Sequence, residues 1–375
     1  MFSEGFNYRY CPILSVSPSE ITALKELPNK DKDFILPIFP LKSWAAANEL
    51  SSAIDKIKEA VGENRKWIVD IDYDDLFSRD IKKYRPVHHD ILKLTDSSNG
   101  YQNWCNFVKE NPNLVPCVQL ADISQLQTQL NVLVSFRRGV VVILKPADIE
   151  SQVYKNILPL LKDGDGFLLL LDLEQITKEQ VELKEQVKMY LMAIRRMLPN
   201  AFISLSSTSF PDSFGGYYRG VKSIYERALF DKLREDFDKF IYSDRGSARA
   251  SKMSGGAGVP PPRIDYSCRN EWNFIRMEFS SVESTLEKDE KKAALKKEKK
   301  ELYTLISKKI MEEPYWENDL GLWSNYIIEL TSKGDDYGIN SAQKATAVRI
   351  NKHLYTQLHY EFSGEITDTD DDWID

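Results

Sequence analysis

The chain alternates between short apolar runs and longer segments in which apolar residues recur at helical spacing. Eight short runs stand out because they are continuously rich in Val, Ile, Leu and Phe and do not alternate strictly with polar residues. Continuous runs of this kind are typical of strands buried on both faces of a parallel sheet. The runs are CPILSV from Cys11, FILPIF from Phe34, WIVDID from Trp67, LVPCVQL from Leu114, VVVILK from Val140, FLLLLDL from Phe167, AFISLS from Ala201 and KFIYSD from Lys239.

The segments between these runs predict helices, among them AAANELSSAIDKIKEAV, DISQLQTQLNVLVSF and GVKSIYERALFDKLREDF. Alternation of strand and helix predicts right-handed crossovers between parallel strands. Eight such repeats within about 250 residues have the size of a (β/α)8 barrel of the TIM type. The alternative is an open doubly wound sheet, which usually has a glycine-rich turn after its first strand. The chain has SVSPSE there, and no GxGxxG or GxxxxGK[ST] motif occurs.

We therefore predict an α/β protein in which residues 1–262 form the barrel. Within it, residues 246–262 (GSARASKMSGGAGVPPP) are rich in Gly, Ser and Pro and predict a loop directly after the eighth strand. Residues 263–360 predict a C-terminal annex of a short strand and helices packed on the barrel. Residues 361–375 contain seven acidic residues and no Lys or Arg, and we expect a disordered tail.

Charge and composition narrow the class of protein. The chain has 50 Lys and Arg and 57 Asp and Glu, and the tail accounts for the acidic excess. The neutral body argues against a protein that coats nucleic acid. No long apolar run and no signal-peptide pattern occur, so we expect a cytoplasmic protein that does not contact a membrane. The four cysteines are far apart in the sequence, which favours free buried thiols over a zinc site.

Polar residues at the C-terminal ends of barrel strands face the mouth in which TIM-barrel active sites lie. Charged residues also interrupt several apolar runs, and a lone buried charge is very costly, so opposite charges should meet there. We predict catalytic roles for Asp70, Asp172 and Asp244. We predict ligand binding by Lys42, Asp72, Gln119, Lys145, Ser206, Arg245, Arg249 and Arg263. The alternative for each aspartate is that it caps the following helix or holds a loop.

Three of these residues are arginines on or beside the Gly-rich loop. The fork of donors on an arginine suits phosphate or carboxylate groups, and the two lysines would lie beneath the loop. An anionic ligand is therefore the favoured hypothesis. The alternative is that Asp244–Arg245 and Arg263–Asp265 are local ion pairs that order the loop.

We expect no cofactor, and Mg²⁺ is the alternative. Carboxylate oxygens are the ligands that Mg²⁺ prefers. The candidate Mg²⁺ ligands are Asp70, Asp72, Asp172 and Asp244. Two of the four histidines lie in a predicted loop and two in the last predicted helix, which disfavours a His-rich metal centre.

Segments along nearly the whole chain carry a family resemblance. They are the opening YRYCPILSVSPSEITALKELP, then ILPIFPLK, LLLLDL, IYSDRGSAR, PPPRIDYS and EWNFIR, and finally AVRINKHLYTQ. Together they resemble the beta protein family, which we associate with a protein of a T-even bacteriophage. The family's usual basic residue after the first strand is replaced here by Ser15. The resemblance implies a barrel and a context of phage conflict, and it implies no particular reaction.

Three functions remain open at this point, and whether the protein is an enzyme stays undecided. The first is an antiphage defence protein whose barrel mouth recognises an anionic ligand, such as a nucleotide, a nucleic-acid end or a phage component. In this hypothesis the C-terminal helices contact a protein partner. The second is a Mg²⁺-dependent phosphodiesterase or nuclease that uses the aspartates at the mouth. The third is a structural subunit of a defence complex.

Overall fold

The computed structural model describes residue 2 and residues 6–182, 184–211, 218–251, 259–280 and 288–361. The predicted acidic tail from residue 362 onwards and residues 252–258 of the predicted loop lie outside the described residues. The chain folds into two compact units. The first unit comprises Met1–Ser17, Lys32–Ser209 and Tyr225–Gly246, and the second comprises Pro18–Asp31, Phe210–Ile224 and Ser247–Asp375. Three segments of the predicted barrel belong to the second unit, namely Pro18–Asp31, Phe210–Ile224 and the stretch from Ser247 to residue 262. The predicted division at residue 262 stays a prediction.

Parallel sheets form the centre of the first unit, as the apolar runs predict. One sheet has the order β1–β2–β3 and the other the order β4–β5–β6–β8, and all neighbours are parallel. Their bounds are β1 Ile38–Leu41, β2 Trp67–Ile71, β3 Leu114–Pro116, β4 Val140–Leu144, β5 Phe167–Gln175, β6 Phe202–Thr208 and β8 Phe240–Tyr242. The prediction of a mixed α/β protein with parallel strands is confirmed.

The first apolar run forms parallel bridges in place of a full strand. Tyr10 bridges both Ile35 and Tyr242, and Ile13 bridges Ile38. A further parallel bridge joins Cys117, just after β3, to Val141 in β4. Apolar side chains of these runs, including those of Ile38, Ile68, Val115, Val141, Leu168 and Ile241, pack into one buried cluster. Burial of such side chains contributes roughly 25 cal/mol per Å² of apolar surface, which favours the strands over other conformations.

Helices separate the strands of the first unit. They are α3 Ser51–Val61, α4 Tyr73–Phe77, α5 Pro86–Leu94, α6 Ser98–Glu110, α7 Leu126–Ser135, α8 Pro146–Glu150, α9 Tyr154–Ile157, α10 Lys178–Glu182, α11 Lys184–Met197 and α12 Tyr225–Leu233. Helix α3 illustrates why these segments form helices and where they end. Its residues Ile54, Ile57 and Val61 are buried along one face, and it ends at Gly62, whose φ of +102° few other residues adopt.

The second unit combines helices with an antiparallel sheet of order β7–β10–β9. Its strands are β7 Arg219–Ser223, β9 Arg263–Ser267 and β10 Glu271–Arg276. Its helices are α1 Pro18–Lys25, α2 Asn29–Lys32 (whose last residue belongs to the first unit), α13 Lys288–Met311, α14 Trp323–Ser332 and α15 Ala342–Leu358. The helical C-terminal part is confirmed. The prediction of helix from Gly220 is wrong, because residues up to Ser223 pair with β10.

Isoleucine and aromatic side chains form the core of the second unit. Ile264 and Tyr266 of β9 pack with Tyr303 and Ile306 of α13 and with Val348 of α15. Helix α15 is buried on nearly all sides, including its polar residues. Among the helices of the described residues, none is long and apolar enough to cross a membrane.

Candidate functional site

The candidate site lies at the C-terminal ends of parallel strands in the first unit. Lys145 follows β4 directly, and Arg245 comes three residues after the end of β8. Asp172, within β5, pairs in register with Ser206 of β6. Because the ends of neighbouring parallel strands share one edge of a sheet, ligands of α/β proteins usually bind there.

A buried ion pair joins two of the predicted residues. The guanidinium of Arg245 donates a hydrogen bond from Nη2 to Oδ2 of Asp172, and both side chains are largely buried. Burial raises the pKa of Asp172, while the charge of Arg245 and the backbone N–H of Glu174 oppose this rise. Separating the two side chains would leave each buried charge uncompensated, which is strongly unfavourable. Each residue therefore holds the other in position.

A second ion pair is more exposed and lies beside the first. Lys145 Nζ lies 2.5 Å from Oε1 of Glu174, and the two side chains are 48% and 46% exposed. Partial burial lowers the pKa of Lys145, but hydrogen bonding and the charges of Glu174, Asp172 and Asp74 outweigh it, so the net pKa is raised. Glu174 has a φ of +58° at an irregularity in the pairing of β5 with β6. A left-handed conformation at a residue other than glycine is strained, and such strain concentrates at functional sites.

Asp70 of β2 is a half-buried carboxyl group on the same side. Burial raises its pKa to about 7, and the nearby charge of Asp72 adds to this rise. The backbone N–H of Ile71 and the ammonium of Lys145 act in the opposite direction. Lys145 therefore lies within electrostatic range of both Asp70 and Asp172. A carboxyl group with this pKa changes its charge near neutral pH. The catalytic role predicted for Asp70 stays a prediction.

Asp72 caps a helix, which is the alternative that the sequence left open. Its side chain accepts the backbone N–H of Asp75 at 2.8 Å and so begins α4. The next residue, Tyr73, donates its hydroxyl hydrogen bond to Oε1 of Gln119. Gln119 is buried, and its backbone N–H is bound by the side chain of Gln129 at 2.8 Å. Helix α4 is thus connected to the end of the neighbouring strand.

Three buried donors at these strand ends have no hydrogen-bond partner among the described residues. They are Nε2 of Gln119, Oγ of Ser206 and Nε of Arg245. A buried donor without an acceptor costs about 1–3 kcal/mol, so each of the three calls for an explanation. We call Gln119, Lys145, Asp172, Ser206 and Arg245 the strand-end cluster.

Asp244 is bound by groups of its own surroundings. The hydroxyl groups of Tyr10 and Tyr242 donate to its two carboxylate oxygens, the latter at 2.9 Å. The backbone N–H of Gly246 donates to it at 2.8 Å. These contacts hold the turn that carries Arg245. The catalytic role predicted for Asp244 stays a prediction.

The remaining predicted residues have local partners. Lys42 donates a hydrogen bond to Ser15, which lies within the first apolar run. Arg249 and Arg263 belong to the second unit. Arg249 Nε donates to the carbonyl oxygen of Pro211 at 3.1 Å, and Arg263 lies 2.8 Å from Asp265. The local ion pair that the sequence offered as an alternative for Arg263 is therefore present.

Three of the four candidate Mg²⁺ ligands bind other groups of the protein. Asp72 binds the start of α4, Asp172 binds Arg245, and Asp244 binds two tyrosines. Within the described ranges of the chain, no group of three or more His, Cys, Asp or Glu side chains is placed to hold a metal ion. The alternative Mg²⁺ site thus gains no support from the arrangement of these carboxylates.

Two residues that belong to this region were missed by sequence reasoning. Tyr73 was not among the predicted site residues, although its position directly after a predicted strand end could have marked it. Glu226 lies in an amphipathic helix and is buried, and burial raises its pKa to about 8, with Asp244 adding to the rise. No signal in the sequence distinguishes this glutamate from an exposed one.

The sequence model of the Beta protein family matches residues 10–359. The chain therefore belongs to the Beta protein family, as the resemblance of its segments predicted. The chain is also similar to protein beta of Enterobacteria phage P4, with 26% identity over 363 residues. This similarity covers 94% of the chain and 93% of the phage protein. The expected T-even origin was wrong for this relative, since P4 is its source.

Proposed function

We propose that the strand-end cluster binds an anionic group such as a phosphate or a carboxylate. The observation that carries the proposal is the set of three buried donors on Gln119, Ser206 and Arg245 that have no acceptor among the described residues. The protein already bears the cost of desolvating these donors. A ligand oxygen that reaches them after a small shift of side chains recovers part of that cost, so binding is favoured.

The two cations of the cluster suit this role in different ways. Asp172 holds the guanidinium of Arg245 in a fixed position, which lowers the entropy that binding would otherwise cost. Lys145 is half exposed and its pair with Glu174 is of the weak exposed kind, which contributes about 0–1 kcal/mol. A phosphate can therefore replace Glu174 as the partner of Lys145 at little cost.

We also infer that the parallel strands of the first unit close into an eight-stranded barrel. The bridges of Tyr10 to Ile35 and to Tyr242 support this, because they connect the first apolar run to the second and to β8. The bridge between Cys117 and Val141 connects the two sheets. In a closed barrel the strand-end cluster would lie at the mouth, which is where ligands of this fold bind.

We further propose that the protein acts in conflict between phages and bacteria, as an antiphage protein. The similarity to a protein of phage P4 supports a phage-related context. The test is a plaque assay in which a bacterial host expresses the wild type or variants of the strand-end cluster. Equal plaque numbers with the wild type and with an empty vector, across a panel of phages, would overturn this part of the proposal.

The binding proposal is tested by titration with inorganic phosphate and pyrophosphate, followed by thermal shift and calorimetry. Lys145→Gln should weaken binding about tenfold or more, because a hydrogen bond to a charged group contributes about 1.5–3 kcal/mol. Lys56→Gln is the matched control. Lys56 forms an ion pair with Glu59 at 2.7 Å, and those side chains are 44% and 41% exposed, close to the values for Lys145 and Glu174.

The outcomes separate clearly. Binding that is weakened by Lys145→Gln and unchanged by Lys56→Gln supports the strand-end cluster as the site. Equal effects of the two substitutions would mean that the anion responds only to net charge. That result, or no binding of either anion by the wild type, would overturn the proposal.

A further inference from the structure

Helix α4, whose Tyr73 contacts Gln119 of the strand-end cluster, carries an exposed aromatic side chain. Phe77, the last residue of α4, is 61% exposed, and Ile81 after it is 71% exposed. The ring of Phe77 stacks on that of Tyr73, with centroids 5.9 Å apart and planes 21° apart. This aromatic pair, with its exposed Phe77, thus lies on a short helix whose start is fixed by the Asp72 cap.

The pair is connected directly to the proposed anion site. The hydroxyl group of Tyr73 donates to Gln119, a member of the strand-end cluster. Burial raises the pKa of Tyr73, and the nearby charge of Asp70 adds to this rise. The charge of Asp74, in the same helix, also acts on Lys145. Helix α4 therefore lies beside Asp70 and Lys145, and the aromatic pair borders the site.

The combination of donors and an aromatic face selects a class of ligand. Donors and cations suit the phosphate of a nucleotide, and an exposed ring suits its base, since base–aromatic stacking is favourable for every base. We propose that Phe77, supported by Tyr73, stacks on the base of a nucleotide whose phosphate is bound by Lys145 and Arg245. This inference rests on the proposed function, which it deepens by naming the ligand class.

The competing explanation is a docking patch for a protein. Exposed apolar side chains often mark protein interfaces, and Phe77 and Ile81 together would provide such a patch. The nucleotide is favoured because Phe77 is backed by a parallel ring and is joined to the donors through Tyr73. A protein patch needs neither feature, and it would use Ile81 as much as Phe77.

The experiment compares adenosine 5′-monophosphate with ribose 5-phosphate by calorimetry on the full chain. The two probes share a phosphate and a sugar and differ in the base. On the wild type the nucleotide should bind about 10- to 100-fold more tightly, which is the range that stacking of one base gives. Phe77→Ala should remove this difference and leave the affinity for ribose 5-phosphate unchanged. Phe77→Tyr should retain it, and Ile81→Ala, the matched exposed control, should not change it.

Equal affinities of the wild type for the two probes would overturn the stacking role and leave the anion site standing. A difference that persists in Phe77→Ala would place the base elsewhere, which also overturns it. If neither probe nor inorganic phosphate binds, the proposed function fails and this inference fails with it. Phe77 is exposed, so unchanged thermal stability of Phe77→Ala verifies that the variant is folded.

Discussion

Replacing Glu226 by glutamine should change how the stability of the protein depends on pH. Glu226 is buried at the start of α12, and its Oε2 accepts the backbone N–H of Ser209 at 2.9 Å and the hydroxyl of the same serine. Its other oxygen, Oε1, has no hydrogen-bond partner among the described residues. Burial raises the pKa of Glu226 from 4.5 to about 8, and the charge of Asp244 adds to the rise.

The direction of the effect follows from proton linkage. Between pH 4.5 and about 8 the native state keeps a proton on Glu226 that the unfolded chain releases. The stability that this proton contributes is fully present below pH 4.5 and is lost as the pH rises through about 8. A difference of one unit between the native and unfolded pKa corresponds to about 1.4 kcal/mol. The rise from 4.5 to about 8 therefore contributes roughly 5 kcal/mol at most to the free energy of unfolding. Glutamine has the same shape and does not titrate, so the variant should lack this loss.

The measurement is urea unfolding of the wild type and of Glu226→Gln at half-unit steps from pH 5 to pH 9. We expect the difference in free energy of unfolding, variant minus wild type, to rise by several kcal/mol over this range. Glu110→Gln, at an exposed position of the same unit, is the control and should give a constant difference. Parallel stability curves for the wild type and Glu226→Gln would refute the reasoning, because the native carboxyl group would then titrate as it does in the unfolded chain.

Three further predictions concern stability and are checked by urea or thermal unfolding near neutral pH. Asp72→Ala should lower the free energy of unfolding by about 1 kcal/mol because the N-cap of α4 is lost. Asp72→Asn should keep most of the stability that the cap contributes, because asparagine is also a good N-cap residue. Arg245→Gln should cost about 3–5 kcal/mol because it leaves Asp172 buried without its partner, and adding Asp172→Asn should restore much of the loss. Gly100→Ala should cost more than about 1 kcal/mol, since φ is +70° and a Cβ atom there would lie 2.6 Å from Thr128 Cγ2. A double variant no more stable than Arg245→Gln would contradict the role of the buried ion pair. Unchanged stability of Asp72→Ala would contradict the helix cap, and unchanged stability of Gly100→Ala would contradict the requirement for glycine at that position.

The strands were predictable because their cause is local in the sequence. A run such as FLLLLDL has no polar face, so only a position buried on both sides suits it, and β5 occupies such a position. The same logic identified Asp172, since a charge inside an apolar run must find a partner. The sequence did not predict β7, because Gly220–Ser223 is strand only through its pairing with β10. That pairing depends on residues about fifty positions away in the chain.

The functional details were less predictable, since they depend on which side chains meet. The sequence placed Asp72 and Asp172 in one class of strand-end carboxylates, yet one caps a helix and the other binds a guanidinium. Their different contacts arise from different neighbours, because the backbone N–H of Asp75 donates to Asp72 at the start of α4, whereas Arg245, which follows the distant strand β8, donates to Asp172. Glu226 was missed for the related reason that burial of a single helix residue is set by tertiary packing.

The number of carboxylates beside the proposed anion site calls for an explanation, since they repel an anion. The pair of Asp172 with Arg245 resolves part of this, because its two charges cancel while the Nε donor of the arginine has no acceptor among the described residues. Lys145 and Glu174 cancel in the same way, and their exposed pair can open. The field that a ligand meets is then set mainly by oriented donors and less by net charge. Such a site favours a ligand whose oxygens match those donors in position.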